Sequence, residues 1–551
     1  NSGANGLYSA GSPGLGKDVI GVASFDNSNT FLTYFEVNGA HIGYVPMDFA
    51  GPTPTSGSEE IVFVGRGCVD ADTVTPGLQT DPYLDDPNGK VALISRGACS
   101  FNEKATRAIT AGAVAVVIHN SSAGVFNGTL GTPIDGTTPV VGISLADGLF
   151  IQAQTAPVTM TWTNQQDSFP SPTGGLISSF SSYGLAPDLS LKPDIGAPGG
   201  NIYSTYPLEQ GGYATLSGTS MSSPHTAGAA ALLLEAKPNL SPSQVRDALL
   251  NSADPKNWSG NPGLGFLDLV HRQGAGMLDI DDAILATTTI TPSKIATGEG
   301  EAGPFTQQLV VKNNGASTVT YDLSFEEAIA TSGVITITGY SIFGVDVVFD
   351  SASVTVKPGK TAKVNATVIS YYPDQYQFGG YIIFTPQGGG QEYRVPFAGI
   401  GGDYQSIQML TPTPFGFPAL GWTPDGNNFG FASPGDVFTM QGFDLPYILI
   451  HFEHQVQEFR VRIFNADGSP VHPVHNFAFD YEYLPRNSTT TSFFAYAWDG
   501  TRLYNNGNNK VKVVPDGEYY LVVEALKANG DAGNPAHWET WTSPTFVVDR
   551  P

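Results

Sequence analysis

Several things are scarce in this sequence, and each scarcity narrows what the chain can be. No apolar run approaches the roughly 18–20 residues of a membrane span. Basic residues are few: 25 Lys and Arg face 50 Asp and Glu, a formal charge of −25. That balance repels phosphate backbones and anionic lipid, which argues against nucleic acid or a membrane surface as partner. There is no zinc motif, P-loop or EF-hand signature. Acidic residues are plentiful but never fall in a recognisable calcium-ligand spacing. No cofactor is therefore identifiable, no metal ligands are assigned, and structural calcium is left open. Cysteine is limited to Cys68 and Cys99, either two buried thiols or one disulfide. N-x-Ser/Thr sequons at Asn120, Asn127, Asn239, Asn257, Asn365 and Asn487 are glycosylation candidates. With the acidity they lean toward a secreted, extracellular protein, where a disulfide is favoured. The first residue is Asn and no signal peptide precedes it, so the chain reads as a processed or trimmed product.

What is abundant points to strands and turns. Charged residues make up only 14% of the chain, beside 65 Gly, 40 Pro and 32 Phe. At 551 residues, three or four domains are expected. A Gly-rich loop leads into an apolar strand at Asp18–Ser24, suited to a buried parallel sheet. Gly89–Gly97 reads as a turn into a strand, Phe101–Ala111 as a helix stopped by Gly112, and Ala113–Ile118 as a second strand. Ser241-Pro242-Ser243-Gln244 has the form of a capping box opening a helix to about Asn251. Beyond Thr287 the pattern is all-β, with alternating strands around Asn313-Asn314-Gly315 and Pro358-Gly359.

The most informative stretch is Leu216-Ser217-Gly218-Thr219-Ser220-Met221-Ser222-Ser223-Pro224-His225, followed by an apolar run to Ala236. It predicts a helix of about four turns from Ser220 to Ala236, apolar nearly all round and so buried. Pro224 is placed near its start, among donors with no intrahelical partner. Ser220 then sits at the N-terminus, where free N–H groups and the dipole favour developing negative charge. Ser-rich helix starts are commonly only caps. The full string, however, closely resembles the nucleophile motif of the subtilisin-like serine proteases, the subtilases. That resemblance implies an α/β catalytic domain, a parallel sheet with helices on both faces, in which Ser220 attacks the scissile carbonyl.

Other segments resemble the same family. Asn1-Ser2-Gly3-Ala4-Asn5 with Ser9-Ala10-Gly11-Ser12-Pro13-Gly14 is similar to its oxyanion-hole loop and specificity-pocket wall. This implies Asn1 as the oxyanion donor and Gly11, Ser12 and Pro13 as pocket wall. Ile177–Gly184, Lys192–Gly199 and Gly274–Ile280 resemble further parts of that domain. The strand–helix–strand unit with Cys68 and Cys99 resembles the α+β protease-associated (PA) domain inserted into large subtilases. The segment after Thr287 resembles the fibronectin-type-III-like domain of lactocepin-type subtilases, and the remainder reads as a second β-sandwich. The expected domains are 1–32 with 166–287 (catalytic), 33–165 (PA), 288–402 (fibronectin-type-III-like) and 403–551 (second β-sandwich).

Acyl transfer by Ser requires a general base and a carboxylate to orient it. In subtilases both precede the oxyanion Asn, and their motifs are not in these 551 residues. No histidine here replaces the base. His225 lies about 140° around the helix from Ser220 and is read as a packing or supporting residue. His41 and His119 carry no motif. The pairs His451/His454 and His472/His475 would fall on opposite faces of a strand, which disfavours a metal site. The expectation is a secreted serine endopeptidase acting on extended polypeptide. Its partner would be an N-terminal fragment of the same protease carrying Asp and His. The alternatives are a vestigial protease that binds or adheres through its PA and β-sandwich domains, and an esterase.

Overall fold

A computed structural model describes residues 1–68, 83–410, 412–504 and 510–551. The chain divides into two compact units. One comprises Asn1–Phe25, Leu176–Pro198 and Gly218–Pro551, the other Asp26–Gly175 with Gly199–Ser217.

The second unit is built on an eight-stranded sheet whose centre is parallel: Gly57–Phe63, Val91–Ser95, Ala115–His119 and Val140–Ile143 lie side by side. These strands are apolar almost throughout because both faces are covered. Leu93, Val117 and Val141 enter one core, Ala92, Ile94, Val116 and Ile118 the other. The helix Phe101–Thr110 is capped by Ser100, whose hydroxyl accepts from Glu103 N at 3.1 Å. Cys68 and Cys99 form a disulfide. Against it lies the fully buried Lys104, whose ammonium donates to Arg66 O and to Cys68 Sγ. Burial pulls that ammonium down to about 8. Asn120 is buried, with its amide donating to Gly124 O and accepting from Arg96. An amide so enclosed has no room for a glycan, and Asn120 is withdrawn as a candidate.

In the first unit, the core around the helices Thr219–Ala236 and Pro242–Asn251 joins Ile195, Leu233, Val245, Leu249, Ala275 and Ala283. The second helix has the full capping box, with Ser241 and Gln244 satisfying each other's backbone N–H groups. The sheet beneath is partial. Only Val22–Asp26 and Ile195–Gly200 pair there, extended by single bridges Phe25–Ile177 and Gly196–Met277. Among the described residues it is a fragment of a sheet, with both strands largely buried.

Residues from Thr288 to Ile400 form a four-stranded and a seven-stranded sheet sharing one core. Leu309, Val347 and Val364 meet Phe378, Ile382 and Val395 across it. From Ala419 to Val548, a four-stranded and a six-stranded sheet close around Ile448, Phe459, Val461, Trp498 and Val523. Asn487 belongs to that interior: its side-chain oxygen accepts from Phe452 N, and its own N–H donates to Phe452 O. It too is withdrawn as a glycan site, whereas Asn127, Asn239 and Asn257 are exposed and Asn365 half-buried. The histidine pairs also depart from the strand reading. Both lie outside strands, and the rings of His472 and His475 stack with centroids 5.0 Å apart.

Candidate active site

Gly218 precedes the helix in extended backbone, and the helix runs Thr219–Ala236. Pro224 falls in its second turn. The bond it forgoes is therefore to the carbonyl of Ser220, not one of the end donors as the sequence suggested. The helix is not buried all round. Ser222, Thr226, Ala229 and Leu233 form the covered stripe, while Leu232 and Leu234 keep 51% and 39% of their surface exposed. His225 is exposed as well, so its packing assignment is withdrawn.

Ser220 stands exposed at the helix mouth. Asn1 lies beside it, and its amide is oriented by Thr219. The backbone N–H and the hydroxyl of Thr219 both donate to Asn1 Oδ1 at 2.8 Å. Because a backbone N–H can only donate, the amide oxygen is fixed on that side and Nδ2 must face the other way. Nδ2 passes over Gly218, where a Cβ would come within 3.1 Å of it. A side chain at this position would crowd the amide and oblige it to shift.

A cleft of about 490 Å³ opens here. Asn1, Ser220 and Ser223 border it, and Gly11, Ser12 and Pro13 form a wall. Its lining includes neither histidine nor carboxylate among the described residues, and its one ionisable side chain is Lys192. Lys192 is tied down: its ammonium donates to Val19 O and to Asp194 Oδ2, both at 2.7 Å. Asp194 also accepts from Gly21 N at 2.7 Å and pairs with Lys294 at 2.6 Å. Burial holds Lys294 below the usual lysine range. The network is a fixed floor to the cleft.

The loop carrying Asn1 is fastened to its neighbours. Gly3 N donates to Phe180 O at 3.0 Å and Ser2 N to Ser182 Oγ at 3.0 Å. Behind that turn, Arg272 donates to Ser178 O and Ser179 O, each at 3.1 Å. Next to Arg272, burial drives His271 down to about 3, and its Nε2 meets Thr331 Oγ1 at 3.0 Å. His271, in the short helix Val270–Gln273, was not singled out in the sequence, since no motif surrounds it. The remaining histidines are engaged away from Ser220. His41 pairs with Asp167, His119 with Ser95, His451 with Glu453 and His454 with Tyr404. His537 bonds Asp531 N. No cluster of three or more His, Cys, Asp or Glu side chains that could hold a metal occurs among the described residues.

Chemically, the site offers a solvent-reachable hydroxyl at a helix N-terminus, an oriented amide donor, and a cleft with a small-residue wall. Comparison with known proteins agrees with that picture. The subtilase family model matches residues 1–276 and an Fn3-like domain model residues 297–398. The PI-type proteinase of Lactococcus lactis subsp. cremoris is 26% identical, over 95% of this chain and 30% of its own length. The minor extracellular protease Vpr of Bacillus subtilis is 31% identical, over 60% of this chain and 41% of its own length. The C5a peptidase of Streptococcus pyogenes serotype M1 is 35% identical, over 39% of this chain and 18% of its own length. The chain thus spans less than half the length of each of these relatives. With half of its residues matched by the family model and a serine, an amide and a cleft in this arrangement, the chain belongs to the subtilase family.

Proposed function

We propose that this chain is the nucleophile-bearing portion of an extracellular serine endopeptidase whose triad Asp and His lie on an N-terminal portion of the same protease. The observation that carries the reading is the Asn1 amide: Thr219 holds its oxygen, which turns its NH2 away from Thr219, and Asn1 and Ser220 border the same cleft. Ser220 Oγ attacks the scissile carbonyl carbon while the histidine takes its proton. The carbonyl oxygen becomes an oxyanion received by Asn1 Nδ2 and the Ser220 N–H. On collapse the C–N bond breaks, the histidine returns the proton to the departing amine, and water then hydrolyses the acyl-enzyme. Extended polypeptide would lie along the cleft with one side chain against Gly11, Ser12 and Pro13.

The split of the triad is supported by two features. The cleft supplies no base of its own among the described residues, and the Ser220 helix presents Leu232 and Leu234 uncovered. An apolar helix face of that kind is a surface for further protein. Extracellular action is supported by the disulfide, the acidity and the similarity to Vpr, an extracellular protease. Within this reading, 1–32 with 166–287 is the catalytic domain. Residues 33–165 form a PA-type insert that gates or docks substrate, and 288–402 and 403–551 are two β-sandwiches.

The test is covalent labelling of the complete protease with a fluorophosphonate, alongside casein hydrolysis. Labelling at Ser220 and loss of turnover by at least about 10⁴-fold in Ser220→Ala are expected. An unlabelled Ser220 in folded protein would favour the vestigial, binding-only alternative. Labelling with turnover of esters but not casein would indicate an esterase.

A further inference from the structure

The stretch Asn5–Tyr8 joins the oxyanion residue Asn1 to the pocket wall Gly11–Pro13, and it is gripped by both C-terminal β-sandwiches. Leu7 N donates to Ile335 O at 3.0 Å. Gly6, at φ +75°, lies so close to that carbonyl that a Cβ would come within 1.9 Å of it. From the last β-sandwich, Arg486 Nη2 donates to Asn5 O and to Leu7 O, both at 2.6 Å. Gln455 Nε2 donates to Tyr8 O at 3.1 Å. The His454 ring meets the Tyr8 ring edge-on, centroids 4.6 Å apart, and its Nε2 lies 2.7 Å from Tyr404 OH. Leu7 and Tyr8 are buried by this packing, and so is Arg486.

A guanidinium taken out of water is costly unless its donors are well used. Both N–H groups of Nη2 end on carbonyls of a single loop, Nη1 is also engaged, and Nε has no partner among the described residues. The pair of bonds from one planar nitrogen fixes the spacing of the two carbonyls it holds. Arg486 is itself held rigid, because Nη1 donates to Asn487 O at 2.7 Å and Asn487 is latched to Phe452. One turn of 3₁₀ helix, Gly3–Asn5, connects the gripped carbonyl of Asn5 to Asn1. A shift at Asn5 is therefore carried to the amide that must meet the oxyanion, and misplacement of such a donor by about 1 Å is enough to lose rate.

We propose that Arg486 is a positioning residue for catalysis: the last β-sandwich sets the place of Asn1 in the oxyanion hole through the carbonyls of Asn5 and Leu7. This rests on the endopeptidase reading. It gives the last domain a part in turnover.

The test is a double-mutant cycle in the complete protease, assayed on a peptide substrate, with wild type, Arg486→Ala, Asn1→Ala and the double variant. Arg486→Ala is expected to lower kcat at least about 10-fold while KM moves less than about 3-fold, within the range for a weakened oxyanion donor. In the Asn1→Ala background the same change should move kcat by less than about 2-fold, because the group it positions is gone. Equal factors in both backgrounds, or a rise in KM alone, would overturn the proposal. If Arg486→Ala does not fold, Gln455→Ala and Arg486→Lys replace it in the cycle under the same criteria. Inactive, unlabelled wild type refutes the endopeptidase reading and this inference with it. Active wild type with an additive cycle refutes only the inference.

Discussion

At the scale of single residues, the proposed site depends on small groups next to Ser220. Thr219→Val keeps the backbone donor to Asn1 Oδ1 but removes the hydroxyl bond of 2.8 Å. We expect kcat to fall by about 3- to 10-fold with KM unchanged, the size of one neutral hydrogen bond. Gly218→Ala places a methyl against Nδ2 and should cost more, read from kcat on the same substrate. Acid sensitivity also has a residue address. Burial drives His454 down to about 3 from an ordinary 6.5. The unfolded chain takes up that proton below 6.5 and the folded chain does not, so the stabilising difference is complete above pH 6.5. It is lost by about 1.4 kcal/mol per pH unit as pH falls toward 3. His454→Gln should therefore flatten the fall of the unfolding midpoint between pH 6.5 and 4.5, measured by chemical denaturation. Ser220 and Asn1 stand out in the sequence as the proposed nucleophile and oxyanion donor because the strings that carry their resemblance are contiguous. Thr219 could not, since a threonine before a helical serine reads as an ordinary cap. Arg486 could not either, because a contact spanning 481 positions leaves no local pattern.

At the scale of elements, local chemistry was a good guide wherever it closed on itself. The unit Val91–Ser95, Phe101–Thr110, Ala115–His119 was readable because period, cap and stop all agree within thirty residues. The capping box at Ser241 was readable for the same reason. The Ser220 helix was misread because apolar composition reports that a helix can be covered, not which faces are. Its uncovered side leads to a prediction. Leu232→Glu should leave the midpoint of thermal unfolding of this chain nearly unchanged, since the site is 51% exposed. It should abolish co-purification with a segment bearing the triad Asp and His, read by pull-down. The disulfide closes a loop of 31 positions. Replacing both Cys68 and Cys99 by Ser should lower the stability of the sheet unit that contains them by about 3–4 kcal/mol, on the loop-entropy account. Turnover at Ser220 should survive.

At the scale of the whole molecule, the first unit is one in which the β-sandwiches pack directly onto the part that carries Asn1 and Ser220. Leu7, Leu189, Leu269, Ile329, Ile400 and Tyr404 share a single apolar cluster drawn from all of it. Ending the chain after residue 402 should therefore expose Leu7 and Tyr8, lower the melting temperature and depress kcat together, by differential scanning calorimetry and peptide turnover. The length of the bridge from Asn5 to Arg486 also has a consequence in time. A ribosome adds about 5–20 residues per second, so the clasp arrives on the order of half a minute or more after the loop it fastens. For that interval the carbonyls of Asn5 and Leu7 are without the side chain that fixes them, and the loop can take its final place only once the last β-sandwich has folded around Arg486.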